Sequence, residues 1–203
     1  MADSTSTARL RATYLYYAAL VIAAAFVGPT GASASALIAT QVFKALALIL
    51  VVVACLGRIW CSVFIAGSKD ARIVTEGPYS LCRHPLYAFS FLGGVGLGAA
   101  TGSLALTAIT ALVLAVLVSS AALAEEDRLS VLHGENYERY VNSTPRWWPQ
   151  WHAQRIPPSL EIQPRVFWKA FLDAGAFVLL FLLIDTARTV RETGTLPTFL
   201  SLI

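Results

Sequence analysis

The sequence predicts an all-α integral membrane protein with about five transmembrane helices. Hydrophobic residues make up 57% of the 203-residue chain, charged residues only 13%, and the mean hydropathy is +0.65. A soluble domain usually contains about 25% charged residues. Because each crossing needs roughly 20 apolar residues, we expect a single membrane domain over 1–203 with no separate soluble domain. It would comprise N-terminal helices (12–57), a core (58–149) and a C-terminal extension with one further helix (150–203).

Five apolar runs supply the predicted spans. The first, about 14–27, follows two arginines and precedes a stretch of small residues, a pattern that also resembles a cleaved signal peptide. Its tyrosines are typical of the membrane interface, so we interpret this run as a retained span. The other four runs are about 42–65, 86–100, 104–124 and 167–184.

The third and fourth runs form a helical hairpin, because only Thr101-Gly102-Ser103 separates them. Four of the six residues from 93 to 98 are glycine. Small residues at this density allow helices to approach one another closely in lipid.

Lysine and arginine predict the orientation of the spans. With Lys44 set aside as intramembrane, twelve of these residues lie on the side of the N-terminus and two on the other side. The positive-inside rule therefore places the N-terminus in the cytoplasm, together with the free ends of the hairpin.

Two polar segments interrupt the apolar runs, and the first reads GPYSLCRHPLY, from Gly77 to Tyr87. A residue before proline avoids the helical region and proline favours the first helical position, so a helix is predicted to begin at Pro85. His84 would then lie at a helix N-terminus, where free N–H groups and the macrodipole favour an anionic group. Each residue alone is ordinary at an interface, but the cluster of His84, Arg83 and two tyrosines indicates a site.

The second polar segment begins at Glu125-Glu126-Asp127-Arg128 and ends at Pro145-Arg146-Trp147-Trp148-Pro149. Adjacent helical residues point about 100° apart, so only one of Glu125 and Glu126 can face a given pocket. Two acidic groups at the C-terminal end of a helix are unfavourable, which favours a functional role if the helix stops at Arg128. The alternative is an ordinary solvated helix end. The closing tryptophans and prolines are typical of an interfacial anchor, or of a wall beside a lipid entry.

Both polar segments lie at the same end of the hairpin, so we expect them to form one site at the membrane surface. Ionisable residues beside a bilayer are costly and usually functional. The three cysteines, Cys55, Cys61 and Cys82, match neither a CxxC pair nor a zinc signature, so we expect buried or interfacial thiols and no metal. The basic residues are spread over several loops, so no nucleic-acid partner is expected.

The chain resembles the isoprenylcysteine carboxyl methyltransferase family in IVTEGPYSLCRHPLY and, after the hairpin, in EEDRLSVLHGENYERYVNSTPRWWP. This broad group of small membrane enzymes also takes in phospholipid N-methyltransferases. The resemblance covers about 71–149 and is specific, because order, spacing and hairpin agree. It implies an integral-membrane methyltransferase that uses S-adenosylmethionine and takes a lipid or lipidated acceptor from the bilayer, with a cytoplasmic catalytic region.

Carried over by position, the resemblance also implies which residues bind the cofactor. Glu125 matches the family's cofactor-binding glutamate, nine residues before Gly134. The other implied contacts are Tyr79, His84, Tyr87 and the stretch Ala71, Arg72, Ile73 and Val74.

Arg83 and Glu126 are the predicted catalytic residues. An amine acceptor would need a base, and either His84 or Glu126 could serve. In the prenylcysteine enzymes an arginine involved with the substrate lies four residues before the cofactor-binding glutamate, where this chain has Ala121. The acceptor therefore stays open among a prenylcysteine carboxylate, a phospholipid amine and a small thiol.

Two other functions fit parts of the sequence. Integral-membrane sterol reductases, which use NADPH, are similar at Arg83-His84-Pro85-Leu86-Tyr87, although a different acidic segment is expected in them where 125–128 stands here. A non-enzymatic membrane scaffold would use the polar motifs only as structural caps. Protection against heat by S-adenosylhomocysteine or by NADPH discriminates the two enzymes, because a ligand stabilises the protein that binds it.

Overall fold

A computed structural model describes residues 2–26, 34–67 and 72–193. In these ranges the chain forms seven α-helices, one turn of 3₁₀-helix at Trp151–Ala153 and no β-strand, so the all-α prediction is confirmed there. The helices are α1 (Ala2–Phe26), α2 (Ala34–Ile65), α3 (Pro78–Leu81), α4 (Pro85–Ala100), α5 (Leu104–His133), α6 (Glu135–Ser143) and α7 (Pro164–Glu192).

Three of the described helices are long and apolar enough to cross a membrane: Thr40–Ile65 within α2, Leu104–His133 and Pro164–Glu192. The shorter apolar stretches Leu15–Phe26 and Pro85–Ala100 coincide with the two other predicted spans. These findings support a membrane protein. Five crossings and the cytoplasmic orientation stay predictions.

The fourth predicted span is longer than expected, because α5 continues through its charged residues to His133. The residues after Ala124 are mostly good helix formers, and no proline or glycine intervenes before Gly134. Glu125 and Glu126 therefore lie inside the helix rather than at its C-terminal end. The helix dipole therefore does not disfavour these two carboxylates, and any function that they have depends on their spatial neighbours.

The chain falls into two compact units, and the first comprises Met1–Val52, Gly93–Leu117 and Ala176–Ile203. Glycines of α4 allow close packing in this unit: a Cβ at Gly94 would lie 2.1 Å from Leu114, and one at Gly96 would lie 3.0 Å from the carbonyl oxygen of Ala47. The core around them contains Leu20, Val51, Leu97, Phe181 and Ile184.

Two basic side chains in the first unit have partners on other helices. Lys44 Nζ lies 2.8 Å from Asp185 Oδ1, which joins α2 to α7. The buried guanidinium of Arg191 donates a hydrogen bond to the carbonyl oxygen of Ala24 at 2.8 Å, near the end of α1. A cation at that position complements the negative end of the α1 dipole.

The second unit comprises Val53–Leu92 and Val118–Gly175, and it contains both polar segments. Its core is built on Cys61, Phe64, Val74 and Tyr79. Cys61 and Cys82 are buried free thiols and Cys55 is half-buried, as the sequence predicts.

Gly57→Ala is expected to destabilise this unit. A Cβ at this position of α2 would lie 2.3 Å from the Phe89 ring, and overpacking of this kind costs about 1–3 kcal/mol. Gly175→Ala is the matched control, because no atom lies within 4 Å of the added methyl group. The control gains about 1 kcal/mol from the higher helix propensity of alanine. Thermal unfolding midpoints of both variants check this; a midpoint for Gly57→Ala at or above that of Gly175→Ala would refute the packing argument.

Candidate functional site

His84 is the point at which the two polar segments meet. It lies immediately before α4, which begins at Pro85 as predicted, and its side chain is 4% exposed. Its Nε2 is 2.9 Å from Glu126 Oε1, and its Nδ1 is 4.0 Å from Glu125 Oε2. The imidazole of the first segment and the carboxylates of the second are therefore neighbours.

Glu126 is the acceptor for a cluster of positively charged donors. Arg83 Nη1 donates to Oε1 at 3.0 Å. Arg146 donates through Nε to Oε1 at 3.0 Å and through Nη2 to Oε2, and this bonding raises the pKa of Arg146. Bidentate arginine–carboxylate pairs of this type are strong and fix geometry. Glu126 is therefore the anionic centre that holds Arg83, His84 and Arg146 together.

Residues 145–155 are tied to the turn that precedes α4. The Arg83 N–H donates to the Pro145 carbonyl at 2.8 Å, and the His84 N–H donates to the Arg146 carbonyl at 3.3 Å. Two further backbone bonds join Gln150 to Leu81 at 3.0 Å and Gly77 to Arg155 at 2.6 Å. The segment that the sequence suggested as an anchor or a wall is thus bonded to the site along its length.

The exposed tryptophans of this segment also fit the anchor interpretation. Trp148 is 84% exposed and Trp151 is 69% exposed. Trp147, by contrast, is half-buried, and its ring centroid lies 5.5 Å from that of His84.

A cavity of about 50 Å³, partly open to solvent, lies beside His84. A second space of about 370 Å³, also open to solvent, shares Arg72 and Ile73 with it and adds His133 and Asn136. The predicted site residues that line the first cavity are Arg72, Ile73, Val74, Tyr79, Arg83, His84 and Glu125.

Two of the described site residues lie elsewhere. Tyr87 does not line the cavity; its ring centroid lies 5.7 Å from that of His84. Glu126 also does not line it, because its carboxylate points to the charged cluster instead. Ala71 lies outside the described residues.

Tyr137 and Tyr140 line the cavity as well, although the sequence alone did not assign them to the site. Tyr140 donates a hydrogen bond to the Tyr79 carbonyl oxygen at 2.7 Å, which joins α6 to α3. Burial raises the pKa of both tyrosines, and the charge of Glu126 adds to this for Tyr137. The signal in the sequence was their i,i+3 spacing, which places both rings on one face of α6.

Tyr79, one of the residues that line the cavity, has an unpaired donor. Its phenol is buried, and among the described residues its hydroxyl has no hydrogen-bond partner. Burial raises the pKa of Tyr79 well above its usual value, so the phenol remains protonated at neutral pH. A buried donor without a partner costs about 1–3 kcal/mol, which a ligand acceptor would recover.

These features indicate a membrane protein with a cavity that is lined by residues of both polar segments. The sequence model of the isoprenylcysteine carboxyl methyltransferase family matches residues 37–131. A protein-S-isoprenylcysteine O-methyltransferase of Schizosaccharomyces pombe is 33% identical over 78 residues, which are 38% of this chain and 33% of that protein. The chain belongs to the isoprenylcysteine carboxyl methyltransferase family.

Two bacterial relatives match over more of their length. A nickel-cobalt-cadmium resistance protein, NccN, of Alcaligenes xylosoxydans xylosoxydans is 36% identical over 152 residues, which are 75% of this chain and 71% of the relative. A cobalt-zinc-cadmium resistance protein, CzcN, of Cupriavidus metallidurans is 36% identical over 149 residues, which are 73% of this chain and 68% of the relative. Across the described ranges, no group of three or more His, Cys, Asp or Glu residues is placed to hold a metal ion. No solved structure matches the chain.

Proposed function

We propose that this protein is an S-adenosylmethionine-dependent methyltransferase that acts on a lipid-like or prenylated acceptor at the cytoplasmic face of the membrane. The observation that carries the proposal is the cavity that combines Tyr79 and His84 of one polar segment with Glu125 of the other. Family membership supports the reaction class, and the three long apolar helices support the membrane setting.

The side chains of the cavity fit the polar groups of S-adenosylmethionine. The Glu125 carboxylate suits an ammonium group or ribose hydroxyls, and the unpaired Tyr79 phenol suits an acceptor such as a carboxylate. When bound, the cofactor supplies a methyl group activated by a positively charged sulfur. An aromatic face of the cavity, such as that of Tyr79, would stabilise that charge by about 0.5–2 kcal/mol.

Methyl transfer requires positioning of the acceptor and exclusion of water more than it requires a reactive side chain. Arg83 lines the cavity, and its Glu126 partner is shared with Arg146 and His84. The positive charge of Arg83 is therefore incompletely offset and suits an acceptor carboxylate. Arg83 would hold that group, which makes O-methylation the favoured form of the reaction over N-methylation.

The proposed orientation has five spans with the cavity on the cytoplasmic side. It is supported by the excess of Lys and Arg, twelve residues against two, on the side of the chain that carries both polar segments. The exposed Trp148 and Trp151 would lie at the headgroup level of that leaflet.

The names of the two bacterial relatives describe resistance to divalent metals. An enzyme that methylates a membrane lipid or a lipidated protein could contribute to such resistance without binding the metal itself. The proposed methyl transfer is therefore consistent with these names.

The test is incubation of the purified protein with radiolabelled S-adenosylmethionine and either total membrane lipid or a prenylcysteine. We expect label in the organic phase; a carboxylate ester releases it in base, whereas an N-methyl product retains it. Glu125→Ala protein provides the background. Absence of labelled product from every acceptor, with the cofactor bound, would leave a binding protein rather than an enzyme.

A further inference from the structure

We propose that Arg146 and Trp147 are positioning residues. Through Glu126 and by direct ring contact, they fix the His84 imidazole so that Nδ1, beside Glu125, accepts a hydrogen bond from an ammonium group of the bound ligand. This inference rests on the proposed function, in which the ammonium is the α-amino group of the methyl donor.

The hydrogen-bond pattern around Glu126 determines the His84 tautomer. An ionised carboxylate is only an acceptor, so each of its partners must bring a proton. Arg146 engages both carboxylate oxygens, and His84 Nε2 lies 2.9 Å from Oε1. Nε2 is therefore the protonated nitrogen, and in the neutral ring Nδ1 is left as the acceptor.

Ring contacts and backbone bonds hold this imidazole in place. Its centroid lies 5.5 Å from that of Trp147 and 5.7 Å from that of Tyr87. The backbone N–H of His84 donates to the Arg146 carbonyl at 3.3 Å. A 180° turn of the ring would put Cε1 in the place of Nε2 and Cδ2 in the place of Nδ1, and it would break the bond to Glu126.

The space between Nδ1 and Glu125 has the size of a shared donor site. Nδ1 and Glu125 Oε2 are 4.0 Å apart, too far for a direct hydrogen bond. A nitrogen about 2.9 Å from each atom fits between them. Both His84 and Glu125 line the cavity, so a ligand ammonium can reach the two acceptors at once.

The proposal is tested with two ligands that differ only in the amino group: S-adenosylhomocysteine and its analogue in which hydrogen replaces the α-amino group. Calorimetry on the purified wild-type protein should show tighter binding of the amine by at least about tenfold, since a hydrogen bond to a charged group contributes about 1.5–3 kcal/mol. Arg146→Gln and Trp147→Ala should reduce this preference to about threefold or less. The affinity for the analogue should remain nearly unchanged.

Conservative variants separate positioning from general loss of structure. Trp147→Phe keeps a ring against His84 and should restore the preference for the amine. At position 84, His84→Asn places its amide near the Nδ1 site and should retain part of the preference, whereas His84→Gln reaches the Nε2 site and should lose it. Thermal unfolding midpoints identify any variant that fails to fold.

Equal binding of the two ligands by the wild-type protein would overturn this inference and leave the proposed function intact. An unchanged preference in folded Arg146→Gln and Trp147→Ala would overturn it as well. Binding of neither ligand by the wild-type protein would instead end the proposed function.

Discussion

Glu126→Gln is expected to abolish methyl transfer and to lower stability. The substitution keeps the shape of the side chain but removes the anion that Arg83, His84 and Arg146 share. Removing one partner of a buried ion pair usually costs 3–5 kcal/mol, and we expect about 3 kcal/mol because Arg146 is 39% exposed. Activity should fall at least about a hundredfold, since the same cluster places Arg83 and His84 at the cavity.

Asp127→Asn is the matched control for this substitution. Asp127 is the next residue of α5 and is exposed, and surface changes of this kind alter stability by about 0.5 kcal/mol or less. Thermal unfolding and initial rates of methyl transfer measure the two effects. Equal midpoints for Glu126→Gln and Asp127→Asn would show that the charged cluster does not hold the site together.

Glu125→Ala is expected to weaken the binding of S-adenosylhomocysteine and to leave the fold intact. Glu125 lines the cavity and its side chain is 31% exposed, so its loss leaves no deeply buried charge. A hydrogen bond between charged groups contributes about 1.5–3 kcal/mol, so affinity should fall about tenfold to a hundredfold. Calorimetry with the purified variant measures this change.

Glu135→Ala controls for the loss of one acidic side chain near the site. Glu135 is an exposed residue in the first turn of α6 and does not line the cavity. The Glu135→Ala variant should bind S-adenosylhomocysteine as tightly as the wild-type protein does. Wild-type affinity in Glu125→Ala would contradict the assignment of this carboxylate to the cofactor.

Local sequence signals predicted the elements that proline and glycine define. α4 begins at Pro85 and ends before the turn 101–103, in which Gly102 has a φ of 78° that glycine adopts readily. The meeting of the two polar segments was also predictable, because a hairpin brings its free ends to one side. His84 and Glu125 are accordingly neighbours.

Some features of the site depend on long-range contacts and could not be predicted from local sequence patterns. The sequence leaves open whether α5 ends at Arg128 or continues, although no proline or glycine stops the helix before Gly134. Arg146 and Trp147 looked like parts of an interfacial anchor. Their roles depend on backbone bonds to a turn more than sixty residues earlier in the chain, which no short-range pattern encodes.

Titration of S-adenosylhomocysteine into the purified wild-type protein, with NADPH as the comparison ligand, tests the central claim most directly. That claim is that the two polar segments together form a cradle for an activated methyl donor. The account predicts saturable binding of S-adenosylhomocysteine with one ligand per chain and no binding of NADPH. The absence of saturable binding of S-adenosylhomocysteine, or saturable binding of NADPH in its place, would contradict it.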